Sequence, residues 1–309
     1  MIQLINGLKP FIENYQCFIV DLRGVLYDGD HVNCEALSCL KYMRHSGKKV
    51  CILSNAPRRS YRVIERCAEM GLTSDYYDFL LTSGEDAWLQ LKNAQLKNEP
   101  ENLYYTFNKK VFPIMAERDY GFLDDLDLEP VHDIQKSNFI LAIGWDGITR
   151  TIDDFYPLLD QALISKQPMI CVNPDLNVIH KGKEELCAGS LAVYYQEKGG
   201  KVYYHGKPHP EVYKTCLEKM GLHQEPTPKV LAIGDSLHTD VYGAHQANLD
   251  ALWILGGVHA AELGLHQSNN NQPNNNQVDD YETKANMERL CIRKNVKQMP
   301  KIAMVNLIL

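Results

Sequence analysis

The chain has 309 residues, 45% of them hydrophobic and 23% charged, with a formal net charge of -7. That length accommodates two domains or one large domain carrying an insertion, and the balance is ordinary for a globular protein. The acidic charge, with short Lys-Arg clusters such as those at 48–49, 58–59 and 109–110, argues against a nucleic-acid partner, and no apolar run reaches the ~20 residues of a membrane helix.

Nine cysteines stand singly along the chain, and no CxxC pair offers zinc or thioredoxin spacing. Cys51 and Cys171 lie inside apolar runs, where they act as small buried hydrophobes. An odd, unpaired set suits a reducing compartment, so the expected location is cytoplasmic. The first ten residues lack the basic segment and long apolar core of a signal peptide.

Phe18-Ile19-Val20 delivers Asp21 to the end of a buried strand, and a turn containing Gly24 follows. Residues 33–45 read as a helix with Leu37, Leu40 and Met43 on one face, stopped by Gly47. Residues 49–53 are a second buried strand ending in Ser54-Asn55. Residues 58–70 are a helix, with Val63, Cys67 and Met70 inward, and 79–84 a short strand and turn. This β-α-β-α-β order predicts an α/β fold with a doubly wound parallel sheet.

Between residues 84 and 200 the pattern restarts, with strands expected at 102–107, 139–143 and 169–172 and helices at 152–165 and 184–197. Residues 201–204 then open another strand, followed by Gly206-Lys207-Pro208. A helix follows, from Pro210 through Val212, Cys216, Leu217 and Met220 to Gly221. Residues 230–233 form a strand ending in Gly234-Asp235, and 251–255 form another. The polar, Asn-rich run at 268–277 cannot bury enough apolar surface to offset the entropy of ordering, which predicts a mobile surface loop. A helix at 281–294 and a last strand at 302–308 are expected to complete the sheet. The expected division is a core domain of 1–83 and 201–309, with an inserted α/β domain of 84–200.

In a parallel sheet Asp21, Ser54-Asn55 and Gly234-Asp235 end strands at one edge, where open α/β sheets place their chemistry. Lys207 precedes a helix near the same edge, and Asp240 follows Asp235 closely. A carboxylate nucleophile, a hydroxyl, an ammonium and an acidic pair are what an aspartyl-phosphate mechanism requires. A phosphate dianion repels an attacking carboxylate, so positive charge is needed: Lys207 supplies part and Mg2+ on oxygen ligands the rest. Ser54 and loop N–H groups suit the equatorial oxygens of the transferring group.

The order of DxxGVL, SNAP, GKP and GDSxxTDxxGA resembles the haloacid dehalogenase superfamily, and most closely its subclass IIA of sugar-phosphate, nucleotide and pyridoxal-phosphate phosphatases. The insertion between SNAP and GKP matches the place of that subclass's α/β cap, and Asn173-Pro174-Asp175 resembles its cap motif. The resemblance implies a Rossmann-like core, Asp21 as nucleophile, Asp235 as a Mg2+ ligand with the Arg23 backbone carbonyl, and Ser54 and Lys207 at the phosphate.

Arg23 stands where the family usually carries a second Asp. That Asp protonates the leaving oxygen and then deprotonates water, and a permanently charged guanidinium does neither. Losing a general acid/base costs about 10²–10⁴-fold. His238 and His209 are the nearby candidates by sequence for that role, although a loop His is more often an ordinary surface residue. Two functions therefore stand as expectations. One is a Mg2+-dependent hydrolase acting on a small phosphorylated metabolite, its specificity set by a cap that closes over the substrate. The other is a phosphate-ligand binding or regulatory protein in which Arg23 has removed turnover.

Overall fold

The computed structural model describes residues 2–97, 103–147, 150–180, 183–225, 228–265 and 280–309. The Asn-rich run at 268–277 lies outside the described residues. The chain divides into two compact units: Met1–Ser54, Ile64–Leu81 and Lys207–Leu309 form one, and Asn55–Val63 with Thr82–Gly206 the other. No helix among the described residues is long and apolar enough to cross a membrane.

A seven-stranded sheet organises the first unit. Across it run Gln3–Leu4, Ile302–Met304, Asp250–Ile254, Val230–Gly234, Cys17–Asp21, Lys49–Ser54 and Phe79–Thr82. The registered pairs are all parallel. Cys17–Asp21 and Val230–Gly234 are buried at every residue, and Lys49–Ser54 at all but the first. Continuous burial, rather than alternation, marks strands covered on both faces, as a doubly wound sheet requires. The helix Cys34–His45 buries Ala36, Cys39, Leu40 and Met43, the i, i+3, i+4, i+7 stripe of an amphipathic helix. Leu37, expected inward, lies beside that stripe and is only partly buried.

The second unit is built on a five-stranded sheet of its own. Its order is Val202–Tyr204, Met169–Cys171, Phe139–Ala142, Lys110–Ile114 and Glu129–Pro130, again parallel. Alternate residues sort to two apolar layers. Phe112, Ile114, Ile140, Ala142, Met169 and Cys171 meet Leu159, Leu191 and Tyr195 of the helices Tyr156–Ile164 and Ala188–Glu197. Val111, Phe139, Leu141, Ile170 and Val172 instead meet Ala87, Leu91 and Phe107. The period of two along each strand divides the core into these layers.

Four expectations are corrected here. The strand expected at 201–204 pairs with Met169–Cys171, so it belongs to the second unit, and the boundary falls at 206/207. The strand expected at 102–107 is not found at its described residues: Leu103–Phe107 is a 3-10 helix. With three residues per turn, Tyr104 and Phe107 fall on one side and meet edge-on, with ring centroids 5.6 Å apart. The strand comes later, at Lys110–Ile114, and carries Pro113. Only Lys110 and Val111 pair with Glu129–Pro130, so Pro113 faces no partner on that side of the strand. The start of the 184–197 helix is instead the strand Lys183–Leu186, antiparallel to Asn177–His180. Ser83-Gly84, read as a turn, opens the helix Ser83–Lys97.

Candidate active site

Three neighbouring parallel strands of the first unit end together. Asp21 is in register with Leu53, and Val20 with Ile233. Asp21, Ser54 and Asp235 therefore leave the carboxyl ends of adjacent strands, the edge where such sheets bind ligands. Ser54 is buried there.

Asp240 reaches the same place by a tight turn. Leu237–Val241 is wound as a π-helix, a form that recurs at functional sites. The Asp240 amide donates to the Ser236 carbonyl at 3.1 Å, and the Ser236 amide donates back to Asp240 Oδ2 at 3.1 Å. The buried Tyr213 hydroxyl donates to the Asp240 carbonyl at 3.3 Å. Gly234 is required by this return, because a Cβ there would lie 2.1 Å from Asp240 Cγ.

The result is a trio of buried carboxylates, Asp21, Asp235 and Asp240, each offering an oxygen within 4.8 Å of the others. Lys207 enters from the turn before the helix Pro210–Lys219. Its Nζ donates to Asp21 Oδ1 and, at 2.7 Å, to Asp240 Oδ1. Asp235 is held separately: the Val258 amide donates to its Oδ2 at 2.7 Å, and the Trp253 indole N–H to its carbonyl at 2.9 Å.

Ionised together, three carboxylates outnumber the single ammonium among them. Burial pushes Asp21 up to about 7, with Lys207 pulling the other way and Asp240 adding to the rise. Asp235 is raised well above the carboxylate range by burial and then by Asp21 and Asp240. Burial works against the Lys207 charge as well, but Asp21 and Asp240 outweigh it and hold the proton on. A dry pocket with surplus negative charge and only oxygen donors matches the demands of a hard divalent cation. The residues present fit such an ion.

Arg23 follows Asp21 by two residues and is partly buried. Its guanidinium lies against Gly29, with Nη2 3.3 Å from where a Cβ would stand, and acts electrostatically on the Tyr27 phenol. Asn55 opens the second unit, where its amide donates to Asp175 Oδ1 at 2.8 Å. His238 is exposed and His209 partly buried at the N-cap of Pro210–Lys219.

Two arrangements escaped the sequence reading. Gly24 and Gly257 both press on the Asp235 carboxylate: a Cβ would stand 2.0 Å and 2.2 Å from its Oδ2. The Gly-Gly-Val-His run after the strand Asp250–Ile254 was the available signal. In the second unit, buried His205 sits between Asp86 Oδ2 at 2.7 Å and the Tyr104 hydroxyl at 2.9 Å. Nothing in the sequence distinguishes Asp86 from other helix acids.

A sequence model described as haloacid dehalogenase-like hydrolase matches residues 18–129, and one described as HAD-hydrolase-like matches 204–282. Ribonucleotide monophosphatase NagD of Escherichia coli is 33% identical over 138 residues, 43% of this chain and 53% of that protein. D-glycerol 3-phosphate phosphatase of Mycobacterium tuberculosis is 23% identical over 257 residues, 82% of this chain and 67% of that one. The match thus spans about half the length of the first of these relatives. A crystal structure of a haloacid dehalogenase-like hydrolase from Brucella suis superposes with a TM-score of 0.74 at 27% identity, covering 98% of this chain and 100% of the other. On these likenesses the chain belongs to the haloacid dehalogenase superfamily, subclass IIA.

Proposed function

We propose that this protein hydrolyses the phosphate monoester of a small metabolite in the cytoplasm, with Asp21 as nucleophile. One observation carries the reading: Asp21 is buried, paired with Lys207, and joined by Asp235 and Asp240 in a cluster of oxygen donors. Mg2+ would be held by Asp21, Asp235, Asp240 and the Arg23 backbone carbonyl, and when bound it supplies charge neutralisation for the attacking carboxylate and the phosphate. The relatives named as a ribonucleotide monophosphatase and a D-glycerol 3-phosphate phosphatase support a small phosphorylated substrate.

Each side chain then has a task. Asp21 attacks phosphorus through a carboxylate oxygen, the P–O bond to the ester oxygen breaks, and an acyl phosphate forms as the leaving group departs as an alkoxide that takes its proton from water. Lys207 favours the ionised form of Asp21 and balances charge on the transferring group. The Ser54 hydroxyl and adjacent N–H groups bind its equatorial oxygens. Water then attacks the acyl phosphate, restoring Asp21 and releasing inorganic phosphate.

Arg23 limits both steps that need proton transfer. A guanidinium cannot protonate an alkoxide leaving group or take a proton from water. A phenol leaving group needs no such help, so aryl esters should be cleaved faster than alkyl esters. The same residue favours a second reading, a protein that binds a phosphorylated ligand without turning it over.

Phosphate release from glycerol phosphate, nucleoside monophosphates and p-nitrophenyl phosphate in Mg2+ tests the pair of readings. We expect release that disappears in Asp21→Asn, and a rise of about 10²–10⁴-fold on alkyl esters in Arg23→Asp. Absence of release from every ester, with activity created by Arg23→Asp, favours the binding protein. Absence in both proteins sinks the hydrolase reading.

A further inference from the structure

We propose that His259 is a positioning residue for Asp235, and that Glu262 anchors it to the C-terminal helix Asp280–Arg293. The inference rests on the carboxylate trio being a divalent-ion site, and goes beyond it by naming what holds one of the three carboxylates in place. Two loops meet there, one carrying Asp235 to Leu237 and the other Gly257 to His259. They are cross-linked in both directions. The Val258 amide donates to Asp235 Oδ2 at 2.7 Å, and the Leu237 amide donates to His259 Nε2 at 3.3 Å. Each loop thus supplies the acceptor for the other's backbone N–H.

His259 is 5% exposed, and its ring lies edge-on to Trp253 with centroids 6.0 Å apart. Trp253 itself donates to the Asp235 carbonyl. For Nε2 to accept from Leu237, the ring proton must sit on Nδ1, and Nδ1 faces Glu262 Oε2 at 2.7 Å. The carboxylate therefore selects the tautomer that the loop contact needs, as the outer partners of metal-site histidines do. Glu262 is fixed in turn by Arg293 Nη2 at 2.6 Å and Lys294 Nζ at 3.1 Å. A continuous chain of polar contacts runs from the last helix to the loop that presents Asp235. Without His259, the Leu237 amide loses its acceptor and the Asp235 loop loses one of its ties.

Mn2+ is the probe, with affinity measured calorimetrically on the intact protein and the melting temperature recorded separately. The wild type should bind Mn2+, and Asp235→Asn should abolish binding. His259→Leu should weaken binding by about tenfold, at the low end of what outer partners contribute. His259→Gln, whose amide oxygen can accept from Leu237, should recover most of that loss. Glu262→Ala, at a part-exposed position, should also weaken binding and serves if His259→Leu does not fold. Binding lost in Asp235→Asn but unchanged in folded His259→Leu, or unchanged in Glu262→Ala, overturns this inference alone. No Mn2+ binding by the wild type overturns the metal-site reading and the inference with it.

Discussion

A methyl group at position 257 would stand 2.2 Å from Asp235 Oδ2 and 2.3 Å from its Cβ. Gly257 has no left-handed backbone, so the obstacle is space rather than conformation. Gly24 meets the same carboxylate at 2.0 Å and also holds φ at +86°, so it needs glycine on both counts. Gly257→Ala should therefore cost about 1–3 kcal/mol and weaken divalent-ion binding. Melting curves with and without Mg2+ would show both effects, and an unaltered response to Mg2+ would mean the carboxylate has room to move. His259 makes a separate prediction about pH. Burial holds its ring below the ordinary 6.5, Lys294 and His238 push the same way, and Glu262 opposes them. As pH falls through 6.5 the unfolded chain takes up a proton that the folded one refuses. The stability is thus present above that pH and lost below it, at no more than about 1.4 kcal/mol per pH unit for each group. Half-buried His245 is lowered by burial too and adds in the same direction. Buried Asp21 and Asp235, both raised in the folded state, act in the opposite sense over the same range, so the His259 contribution is read by difference: between pH 8 and pH 5.5 the melting temperature of the wild type should fall relative to that of His259→Gln.

Among the elements, the helix Cys34–His45 is the one whose start is most clearly written. Asn33 caps it, its Oδ1 accepting from the Glu35 amide at 3.0 Å and the Ala36 amide at 3.2 Å. Asn33→Ala should cost ~1 kcal/mol, read as a drop in melting temperature with no change in ligand affinity. A larger loss would show that Asn33 does more than cap. The short elements behaved differently. Tyr104-Tyr105-Thr106-Phe107 has the composition of a strand, yet it is a 3-10 turn because Phe107 stacks on Phe139 and meets Tyr203. Side chains from distant strands outweigh a local preference that spans only about 1 kcal/mol. The π-turn at Leu237–Val241 is likewise set by Asp240 folding back onto Ser236, a contact no hydrophobic period announces.

For the whole molecule, the principal energetic tension is electrostatic. The first unit buries three carboxylates around one lysine at the end of its sheet. An ion that binds only the folded state stabilises it by mass action, about 2.7 kcal/mol at a hundred times its dissociation constant. Saturating Mg2+ should raise the melting temperature by several degrees, and a chelator should reverse the rise. Asp240→Asn should shrink the response, since it removes one of the three charges. A melting temperature indifferent to Mg2+ would count directly against the metal site.

The alternation and continuity of apolar residues were enough to establish an α/β chain with a parallel sheet, because strand burial is a local pattern repeated over many residues. Strand ends were legible for the same reason, and with them Asp21, Ser54 and Asp235. Lys207 was legible from a Gly-Lys-Pro turn opening a helix. What the sequence left open was decided by contacts between residues far apart in the chain. The strand Val202–Tyr204 went to the second sheet because Met169–Cys171 offered it an edge. Asn55 turned to Asp175, 120 positions away. Gly24, Gly257 and His259 acquired their roles only once folding brought them to Asp235 and its loop. Periodicity reports which face of an element is buried; it carries no information about which distant carboxylate or amide will be found there.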